Sequence, residues 1–243
     1  MSQNPSFIIT GASGYMGLHL LKALSEKYSV KGTYANRPFP TGIQFDLMSS
    51  DPQTLPLSGV NYAVIFSAVS KIDFCKTNPE LSRKINVSGV QKLLHELKRR
   101  RIFPIYASSD GVYPGIKGNY KESEPLLPKN NYSWSKLGGE SSVQMYKNSL
   151  ILRVCMTEKP FVHKKAFYDF NTNFIFHDEV AKILFKLINK KGIINLGGKA
   201  QTVYRFVKKF DPKIKKIYAK KILGPKYPLN PSMNITKLKK ILK

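Results

Sequence analysis

One stretch near the N-terminus limits the folds open to this chain more than any other. The apolar run at residues 6–10 leads at once into a turn with glycine at every third position, Gly11, Gly14 and Gly17, followed by a helical pattern of leucines. Glycines in such a turn let backbone N–H groups approach a phosphate and let the helix pack closely on the strand. The stretch therefore predicts a dinucleotide-binding unit, although its G-x-x-G-x-x-G spacing differs from the usual G-x-G-x-x-G fingerprint.

The following segments alternate between strand-like and helix-like patterns. Apolar runs predict strands at 28–34, 42–47, 61–69, 102–107 and 149–154, and a long amphipathic helix opens at Asn78-Pro79-Glu80. This rhythm predicts an α/β fold of the Rossmann type, with a doubly wound parallel sheet. Ligands of such a sheet bind beyond the carboxyl ends of its strands.

Length and composition exclude several other classes of protein. A chain of 243 residues suffices for one large domain with at most a small appendage. No apolar run reaches the roughly 18 residues of a membrane span, and residues 1–5 lack the pattern of a secretory signal. Cys75 and Cys155 are too far apart for a disulfide framework or metal-ligand spacing. We therefore expect a cytoplasmic protein without a metal site.

The chain is strongly basic, with a formal net charge of +25. The surplus is concentrated at the end, where residues 199–243 hold 14 Lys and Arg and one acid, Asp211. Such a charge attracts polyanions, so nucleic acid is a competing partner. Because the basic residues are mostly lysines spread over apolar-periodic segments, without a zinc finger or an RNP-type motif, we expect no nucleic-acid partner.

The second predicted strand indicates which dinucleotide would bind. NAD-specific sites usually place an Asp or Glu near the end of this strand, where it binds the ribose 2′-hydroxyl. No acid lies between Ser29 and Gln44, whereas Arg37 does, and a guanidinium matches the geometry of a phosphate. The sequence favours NADP(H), with NAD(H) as the alternative; a solvated loop Arg37 without function is the competing interpretation.

Tyr132 and Lys136 form a second candidate site. Side chains four residues apart share one face of a helix, so the Lys136 ammonium would lower the pKa of the Tyr132 phenol towards neutrality. The pair alone is weak evidence, because Tyr-x-x-x-Lys is common by chance. It gains weight from the glycine turn upstream and from Ser109, which follows the fifth strand where a hydroxyl could bind a reacting carbonyl oxygen.

Several stretches together resemble one known family. They are residues 10–17, 67–86, 107–113, 132–140 and 151–153. With S-S-D-x-V-Y at 108–113, Y-S-W-S-K-L-G-G-E at 132–140 and the closing residues 228–238, the chain resembles the extended short-chain dehydrogenase/reductases, and within them the dTDP-4-dehydrorhamnose reductase branch. The resemblance covers nearly the whole chain and is more specific for the superfamily than for the substrate.

The resemblance implies roles at matching positions. Tyr132 would be the acid–base residue, Lys136 would hold the nicotinamide ribose, and Ser109 would hydrogen-bond the reacting oxygen. Asn86 would join this catalytic set. Three residues would face the sugar, namely Asp110, Val112 and Tyr113. The cofactor would lie against Lys136 and against the glycine turn and the strand ends, namely Gly11, Ser13, Gly14, Tyr15, Met16, Gly17, Arg37, Asp46, Leu47, Ser67, Ala68 and Val69.

The resemblance also implies an activity. It is the NADPH-dependent reduction of a 4-keto-6-deoxy sugar nucleotide, with hydride transfer to C4 and Tyr132 as the proton donor. Family members of this type often form homodimers. A sugar-nucleotide 4-epimerase, another NAD(P)-dependent sugar-nucleotide enzyme and a non-catalytic NADP-binding regulatory subunit are the alternatives.

The chain departs from the family pattern after the sixth strand. Residues 157–173 are short, basic and aromatic where relatives usually have more chain, and residues 174–180 then resume the expected strand and helix. The acids after His177 indicate a helix N-terminus rather than a metal site. We therefore predict an NADP-binding Rossmann domain at 1–156 and a small C-terminal substrate-binding region at 157–243, interleaved with the last Rossmann elements at about 174–196.

Overall fold

A computed structural model describes residues 4–243. Residues 1–3, which belong to the start that we expect to lack a secretory signal, lie outside the described residues. Among the helices of the described chain, none is both long and apolar enough to cross a membrane.

Short strands alternate with helices along the chain. The strands are β1 (Ser6–Thr10), β2 (Ser29–Tyr34), β3 (Ile43–Gln44), β4 (Tyr62–Ile65), β5 (Phe103–Ser109), β6 (Leu150–Val154), β7 (Lys165–Phe167), β8 (Asn171–Thr172), β9 (Gly192–Leu196), β10 (Gln201–Thr202) and β11 (Lys215–Ile217). The α-helices are α1 (Tyr15–Ser25), α2 (Ile72–Thr77), α3 (Pro79–Arg83), α4 (Val90–Arg99), α5 (Asn131–Gln144), α6 (His177–Leu187), α7 (Val203–Val207), α8 (Ala219–Leu223) and α9 (Thr236–Leu242). A π-helical segment, Lys84–Gly89, joins α3 to α4, and 3₁₀ turns occur at Pro52–Thr54 and Asp110–Val112.

Seven strands form one sheet in the order β3-β2-β1-β4-β5-β6-β9, and every pairing in it is parallel. In β1, Phe7 lies opposite Val30 of β2 on one side and Tyr62 of β4 on the other. The chain changes direction across the sheet between β1 and β4, which opens a crevice at the carboxyl ends of these strands. The predicted doubly wound parallel sheet of the Rossmann type is confirmed.

A hydrophobic core covers each face of this sheet. On one face, α4 buries apolar residues spaced three and four apart, namely Val90, Leu93, Leu94 and Leu97, against side chains of β1, β4 and β5. On the other face, α1 and α6 pack side by side through Leu20, Leu24, Leu184 and Leu187. Each such side chain stabilises the fold by about 1.5–3 kcal/mol relative to exposure, so the sheet that positions the strand ends is rigidly supported.

The third predicted strand is shorter than expected. Only Ile43–Gln44 pairs with β2, whereas we predicted 42–47. The chain turns at Asp46, whose N–H donates to Ser50 Oγ (2.9 Å) and whose carboxylate accepts from the Met48 N–H (2.8 Å). These local bonds replace the pairing of a longer strand.

The strand predicted at 174–176 is wrong. A single bridge joins Phe176 to Thr157, and the phenylalanines pack instead into an aromatic cluster of the small region. The predicted helix does begin here, because the Glu179 carboxylate accepts a hydrogen bond from the Phe176 N–H (3.1 Å) at its N-terminus. His177 is thus the first residue of α6.

Short elements make up the small C-terminal region. β7 pairs with β11 in parallel and β8 pairs with β10 antiparallel. α7 packs on them around a cluster of Ala166, Phe176, Val203, Phe206, Val207 and Ile214. β9 lies within the predicted interleaved segment and belongs to the large sheet, beside β6. The division of the chain at residue 156 stays a prediction.

Candidate active site

The glycine turn lies against the end of β4 at distances that require glycine. Gly11 has a φ of +74°, and a Cβ there would lie 2.7 Å from the backbone nitrogen of Ser67. A Cβ at Gly17 would lie 2.3 Å from the Gly11 carbonyl oxygen. The Gly14 N–H donates to that same oxygen (3.0 Å), and Gly14 is the N-cap of α1. The first turn of α1 therefore directs its free N–H groups into the crevice, where they favour a phosphate.

A cavity of about 290 Å³ opens between this turn and the ends of β2, β3 and β4. Nine predicted cofactor-binding residues line it, namely Gly11, Ser13, Gly14, Arg37, Asp46, Leu47, Ser67, Ala68 and Val69. Five further residues complete the lining, namely Ala35, Asn36, Phe45, Phe66 and Ile85. We missed them although Ala35 and Asn36 directly follow β2, a position that is itself a signal in a parallel sheet. Backbone amides at one end and apolar walls at the other fit a dinucleotide.

Four predicted cofactor residues do not line this cavity, namely Tyr15, Met16, Gly17 and Lys136. The Met16 side chain is buried in the core under α1, and Gly17 provides the close packing of α1 on the turn, so a cofactor contact of either residue would be through its backbone N–H and stays a prediction. The Tyr15 hydroxyl donates to the Lys159 carbonyl oxygen (2.8 Å), and its ring centre lies 4.8 Å from that of His177. Tyr15 thus connects the glycine turn to the segment after β6.

Helix α5 presents Tyr132 in its first turn and Lys136 in the next. The N-cap is Asn130, whose Oδ1 accepts from the Ser133 N–H (2.8 Å). Lys136 is buried, 3% exposed, and its Nζ lies 4.2 Å from the centre of the Tyr106 ring. Ser109 is buried at the end of β5, and its hydroxyl lies near the Tyr132 phenol. The structure therefore brings Tyr132, Lys136 and Ser109 to one edge of the sheet.

The expected effect of Lys136 on Tyr132 is not found. Burial and the nearby Asp110 raise the pKa of Tyr132 to about 12, against a lowering effect of the nearby Ser109 hydroxyl. Burial lowers the pKa of Lys136 to about 7, although the charge of Glu140 acts in the opposite direction. Desolvation is the largest cause of both shifts, and neither group is among the causes of the other's shift. At neutral pH Tyr132 is a protonated phenol.

Asn86 contributes indirectly. Its Oδ1 accepts from the Val69 N–H (2.9 Å), and its Nδ2 donates to the Val69 carbonyl (2.9 Å) and to Ser135 Oγ (2.8 Å). The Ser135 hydroxyl in turn donates to the Tyr132 carbonyl oxygen (2.7 Å). These bonds employ both N–H donors of the Asn86 amide, so Asn86 ties Val69 to α5 and reaches Tyr132 only through Ser135.

A second cavity, of about 190 Å³, lies beside Tyr132. Ser109, Asp110 and Tyr113 line it as predicted for a substrate site, and burial raises the pKa of Asp110. The other lining residues are Ile72, Gly111, Pro114, Gly115, Lys129, Asn130, Ser133, Phe170, Tyr227, Pro228 and Pro231. Six of the missed residues lie within three positions of predicted ones in the sequence and carried a local signal, whereas Ile72, Phe170 and the residues at 227–231 come from distant parts of the chain.

Of the predicted sugar contacts, Val112 does not line the cavity and Tyr113 lines it without offering its hydroxyl. Val112 is fully buried in a hydrophobic cluster with Tyr120 and Met233 and does not line the cavity, because the 3₁₀ turn rotates it inward. Tyr113 lines the cavity with part of its surface, but its hydroxyl donates to Asn195 Oδ1 (2.8 Å) and accepts from Arg153 (2.7 Å). That hydroxyl is therefore committed to the protein interior.

A buried ion pair supports this side of the site. Arg153 of β6 pairs with Glu140 of α5 at 2.6 Å, and the two side chains are 2% and 0% exposed. The Ser108 hydroxyl also donates to Glu140 (2.5 Å). The pair joins the helix that carries Tyr132 and Lys136 to the centre of the sheet.

Gly138 and Gly139 serve packing within this chain. A Cβ at Gly138 would lie 2.8 Å from Val87, and one at Gly139 would lie 2.3 Å from the Tyr106 hydroxyl. The two glycines therefore let α5 approach the π-helical segment and β5 closely. The predicted homodimer stays a prediction.

Metal chemistry finds no support in the described residues. Within 4–243, no group of three or more His, Cys, Asp or Glu side chains could hold a metal ion. The site consists of the glycine turn, the crevice at the strand ends, and the side chains of Ser109, Tyr132 and Lys136.

Together these features define a protein of the extended short-chain dehydrogenase/reductase type. The model of the RmlD substrate binding domain family matches residues 6–164, more than half of the chain, and the chain belongs to this family. The predicted resemblance is thereby confirmed.

Solved structures and curated relatives agree with this placement. A hypothetical dTDP-4-dehydrorhamnose reductase from Sulfolobus tokodaii superposes with a TM-score of 0.87 and 25% identity, covering 98% of this chain and 95% of that one. The dTDP-4-dehydrorhamnose reductase of Bacillus anthracis str. Ames, in complex with NADP, shares the fold with a TM-score of 0.81 and 18% identity, covering 98% of this chain and 92% of that one.

A relative of another kind is the methionine adenosyltransferase 2 subunit beta of Xenopus tropicalis. It is 30% identical over 152 residues, which are 60% of this chain and 45% of that protein. The chain spans about half the length of the curated relatives it matches.

Proposed function

We propose that this protein is an NADPH-dependent reductase of a 4-keto-6-deoxy sugar nucleotide, with Tyr132 as the proton donor to the oxygen at C4. The main support for this proposal is that Tyr132 and Ser109 line the same cavity. This cavity lies beside a crevice whose shape and lining fit a dinucleotide. Membership of the family and the similarity to the Sulfolobus tokodaii protein support the substrate class.

NADPH is the cofactor that the crevice fits best. Arg37 lines it near the end of β2, no acidic residue stands between Ser29 and Gln44, and a guanidinium would bind a ribose 2′-phosphate. The first turn of α1 would hold the pyrophosphate. The fold neighbour from Bacillus anthracis is in complex with NADP, which agrees with this choice; NAD(H) is the alternative.

The residues around the second cavity supply the proton and the electrostatic support. When bound, NADPH supplies a hydride for the carbonyl carbon. Ser109 hydrogen-bonds the carbonyl oxygen, and Tyr132 donates its phenolic proton to that oxygen as negative charge develops. A pKa of about 12 keeps Tyr132 protonated at neutral pH, which suits reduction of a ketone better than oxidation of an alcohol.

Lys136 is suited to a supporting role. Burial lowers its pKa to about 7, so it exchanges protons readily near neutrality and can return one to Tyr132 through the ribose and water. Lys136 would also bind the nicotinamide ribose, as the family resemblance implies.

Two other functions are distinguishable from this one. A sugar-nucleotide 4-epimerase would use the same side chains without net consumption of NADPH. A non-catalytic NADP-binding regulatory subunit is favoured by the similarity to methionine adenosyltransferase 2 subunit beta. The presence of Ser109, Tyr132 and Lys136 at one edge of the sheet supports the enzyme instead.

The test is a panel of 4-keto-6-deoxy sugar nucleotides incubated with NADPH deuterated on the transferable position of its nicotinamide. The proposal expects NADPH oxidation and one deuterium at C4 of the sugar. Deuterium at another carbon, or an epimerised product with no NADPH consumed, would replace the reductase with a related enzyme. NADPH binding without any turnover across the panel would favour the regulatory subunit.

A further inference from the structure

A segment near the C-terminus, residues 224–234, which we call the closing segment, lines one side of the substrate cavity with Tyr227, Pro228 and Pro231. It is bonded on one side to the loop after β5, where the Asn230 N–H donates to the Gly115 carbonyl (2.7 Å) and the Tyr120 N–H to the Ser232 carbonyl (3.0 Å). On the other side, the Asn171 N–H at the start of β8 donates to the Leu229 carbonyl (2.9 Å). The segment therefore bridges the large sheet and the small region.

The path of the closing segment is tightly defined. A Cβ at Gly115 would lie 3.3 Å from Pro228, and a Cβ at Gly118 would lie 2.3 Å from the Asn230 amide. Both glycines have positive φ, +75° and +73°, so the loop is shaped to receive this segment. The closing segment is hydrogen-bonded on both of its sides, and these bonds fix those of its residues that line the cavity.

Tyr227 is the residue of this segment that brings a polar group into the cavity. It lines the cavity with Tyr132 and Lys129, and its side chain lies near that of Asn130. Burial raises the pKa of Tyr227, the neighbouring Asn130 lowers it, and the nearby charge of Asp110 raises it further. The group is thus a neutral phenol with a ring face and a hydroxyl next to the substrate space, yet the proton donation that we propose does not require it.

The lining around Tyr227 matches a sugar ring in chemical character. Phe170, Pro228 and Pro231 provide apolar surfaces, while Asp110 and Asn130 provide polar atoms that can bond hydroxyl groups. Sites of this kind bind by apolar contact and gain specificity from a few placed polar groups. Lys129 is the cationic side chain in this lining, as expected beside a phosphorylated substrate.

We propose that Tyr227, placed by the closing segment, binds the sugar half of the substrate and sets which keto sugar is presented to Tyr132. This rests on the proposed function for the class of substrate, but not for the contact itself. Tyr227 is a positioning residue: it contacts the sugar away from the reacting carbonyl and takes no part in proton transfer.

The experiment compares Tyr227→Phe and Tyr227→Ala with the wild type, and with Tyr218→Phe and Tyr218→Ala as matched controls. Tyr218 lies nine positions earlier, is 47% exposed and does not line the cavity. Calorimetry measures the affinity for a sugar nucleotide, for the nucleoside diphosphate without its sugar, and for NADPH. Steady-state assays add kcat and KM wherever the wild type turns the sugar nucleotide over.

We expect the Tyr227 substitutions to weaken binding of the sugar nucleotide but not of the other two ligands. Affinity for the sugar nucleotide falls about fivefold in Tyr227→Phe and roughly 10- to 100-fold in Tyr227→Ala, as for a lost hydrogen bond and a lost ring contact. Binding of the nucleoside diphosphate and of NADPH stays within about twofold of the wild type. KM for the sugar nucleotide rises more than kcat falls, and the Tyr218 variants behave as the wild type.

Several outcomes would overturn the inference. Equal losses for the sugar nucleotide, the bare diphosphate and NADPH would mean that Tyr227 only stabilises the fold. Unchanged affinity for the sugar nucleotide in Tyr227→Ala would mean that the sugar lies elsewhere, and a wild type that binds no sugar nucleotide would overturn it as well. A wild type that binds sugar nucleotides through Tyr227 without reducing any would refute the proposed reaction alone.

Discussion

The two cavities of this protein are assembled in different ways. The cofactor cavity draws on short segments at the ends of neighbouring strands, all within residues 11–85. The substrate cavity draws on residues 72–231 and depends on buried long-range contacts and on the closing segment. Local geometry therefore governs the first, whereas tertiary bonds between distant segments govern the second. Substitutions that disturb only the local geometry of the first cavity, or only the long-range contacts of the second, can test this difference.

The largest effect is expected at the ion pair behind the substrate cavity. Arg153→Met leaves Glu140, which is 0% exposed, without its cation and removes the bond to the Tyr113 hydroxyl. We expect the free energy of unfolding in urea to fall by about 3–5 kcal/mol. The control is Lys117→Met, which breaks the exposed pair with Glu124 and should cost less than about 1 kcal/mol. Similarly small losses of unfolding free energy in both variants would show that the Arg153–Glu140 pair does not stabilise this side of the substrate cavity.

A somewhat smaller effect is expected in the glycine turn. Gly11→Ala and Gly59→Ala both place a side chain at positive φ, +74° and +71°, which costs about 1–2 kcal/mol. Only at Gly11 would the new Cβ meet backbone atoms, those of Ser67, while Gly59 has nothing within 4 Å. We expect Gly11→Ala to lose about 2–4 kcal/mol of stability and at least about tenfold in NADPH affinity. Equal losses of stability and of NADPH affinity in the two variants would show that the close approach of the turn to β4 is not what requires glycine at position 11.

Arg37 tests the choice of cofactor. Arg37→Ala should weaken NADPH binding by roughly 10- to 100-fold, since a charge-assisted bond to a phosphate contributes about 1.5–3 kcal/mol. NADH, which lacks the 2′-phosphate, should bind both proteins equally in the same fluorescence titration. Lys31→Ala is the control, because the Lys31 ammonium is engaged with the Pro56 carbonyl (2.8 Å) and should alter neither affinity. Equal losses for NADPH and NADH would count against Arg37 as the phosphate ligand.

The smallest effect, when counted per pH unit, concerns the pH dependence of stability. Lys136 keeps its proton up to about pH 7 in the folded protein, compared with an ordinary value of 10.5. Between these values the unfolded chain binds more protons, so this group makes the folded protein more stable as pH rises from 7 to 10. Lys136→Met should remove that contribution and flatten the rise by up to about 1.4 kcal/mol per pH unit. Urea unfolding at pH 7, 8.5 and 10 measures this contribution. If the free energy of unfolding changed with pH in the same way in both proteins, a lowered pKa of Lys136 would be contradicted.

The same comparison explains what the sequence could and could not predict. The sheet, the glycine turn and most of the cofactor cavity follow from apolar runs and from residues adjacent to strand ends, which are local signals. Tyr227 and the partners of Arg153 are brought to the site by contacts across 13 to 100 or so positions, for which a single sequence has no signal. Their roles became visible only with the fold.

Two misjudged residues show where sequence-based expectations fail near the site. The four-residue spacing of Tyr132 and Lys136 predicts a lowered pKa of Tyr132. Spacing says nothing about burial, however, and burial is the largest cause of the pKa shift of both groups. The family resemblance predicts that Val112 faces the sugar, yet the 3₁₀ turn after β5 directs it into the core. Both errors come from the same source, since the depth of a side chain is a property of the packed molecule.

The most direct test of the enzyme proposed here is the rate of NADPH oxidation by Tyr132→Phe with a sugar nucleotide that the wild type reduces. The variant keeps the ring and loses the proton that Tyr132 would donate. We predict a fall in kcat of about 10²- to 10⁴-fold, with NADPH and sugar-nucleotide affinities close to those of the wild type. Undiminished turnover in Tyr132→Phe would contradict the account at its centre.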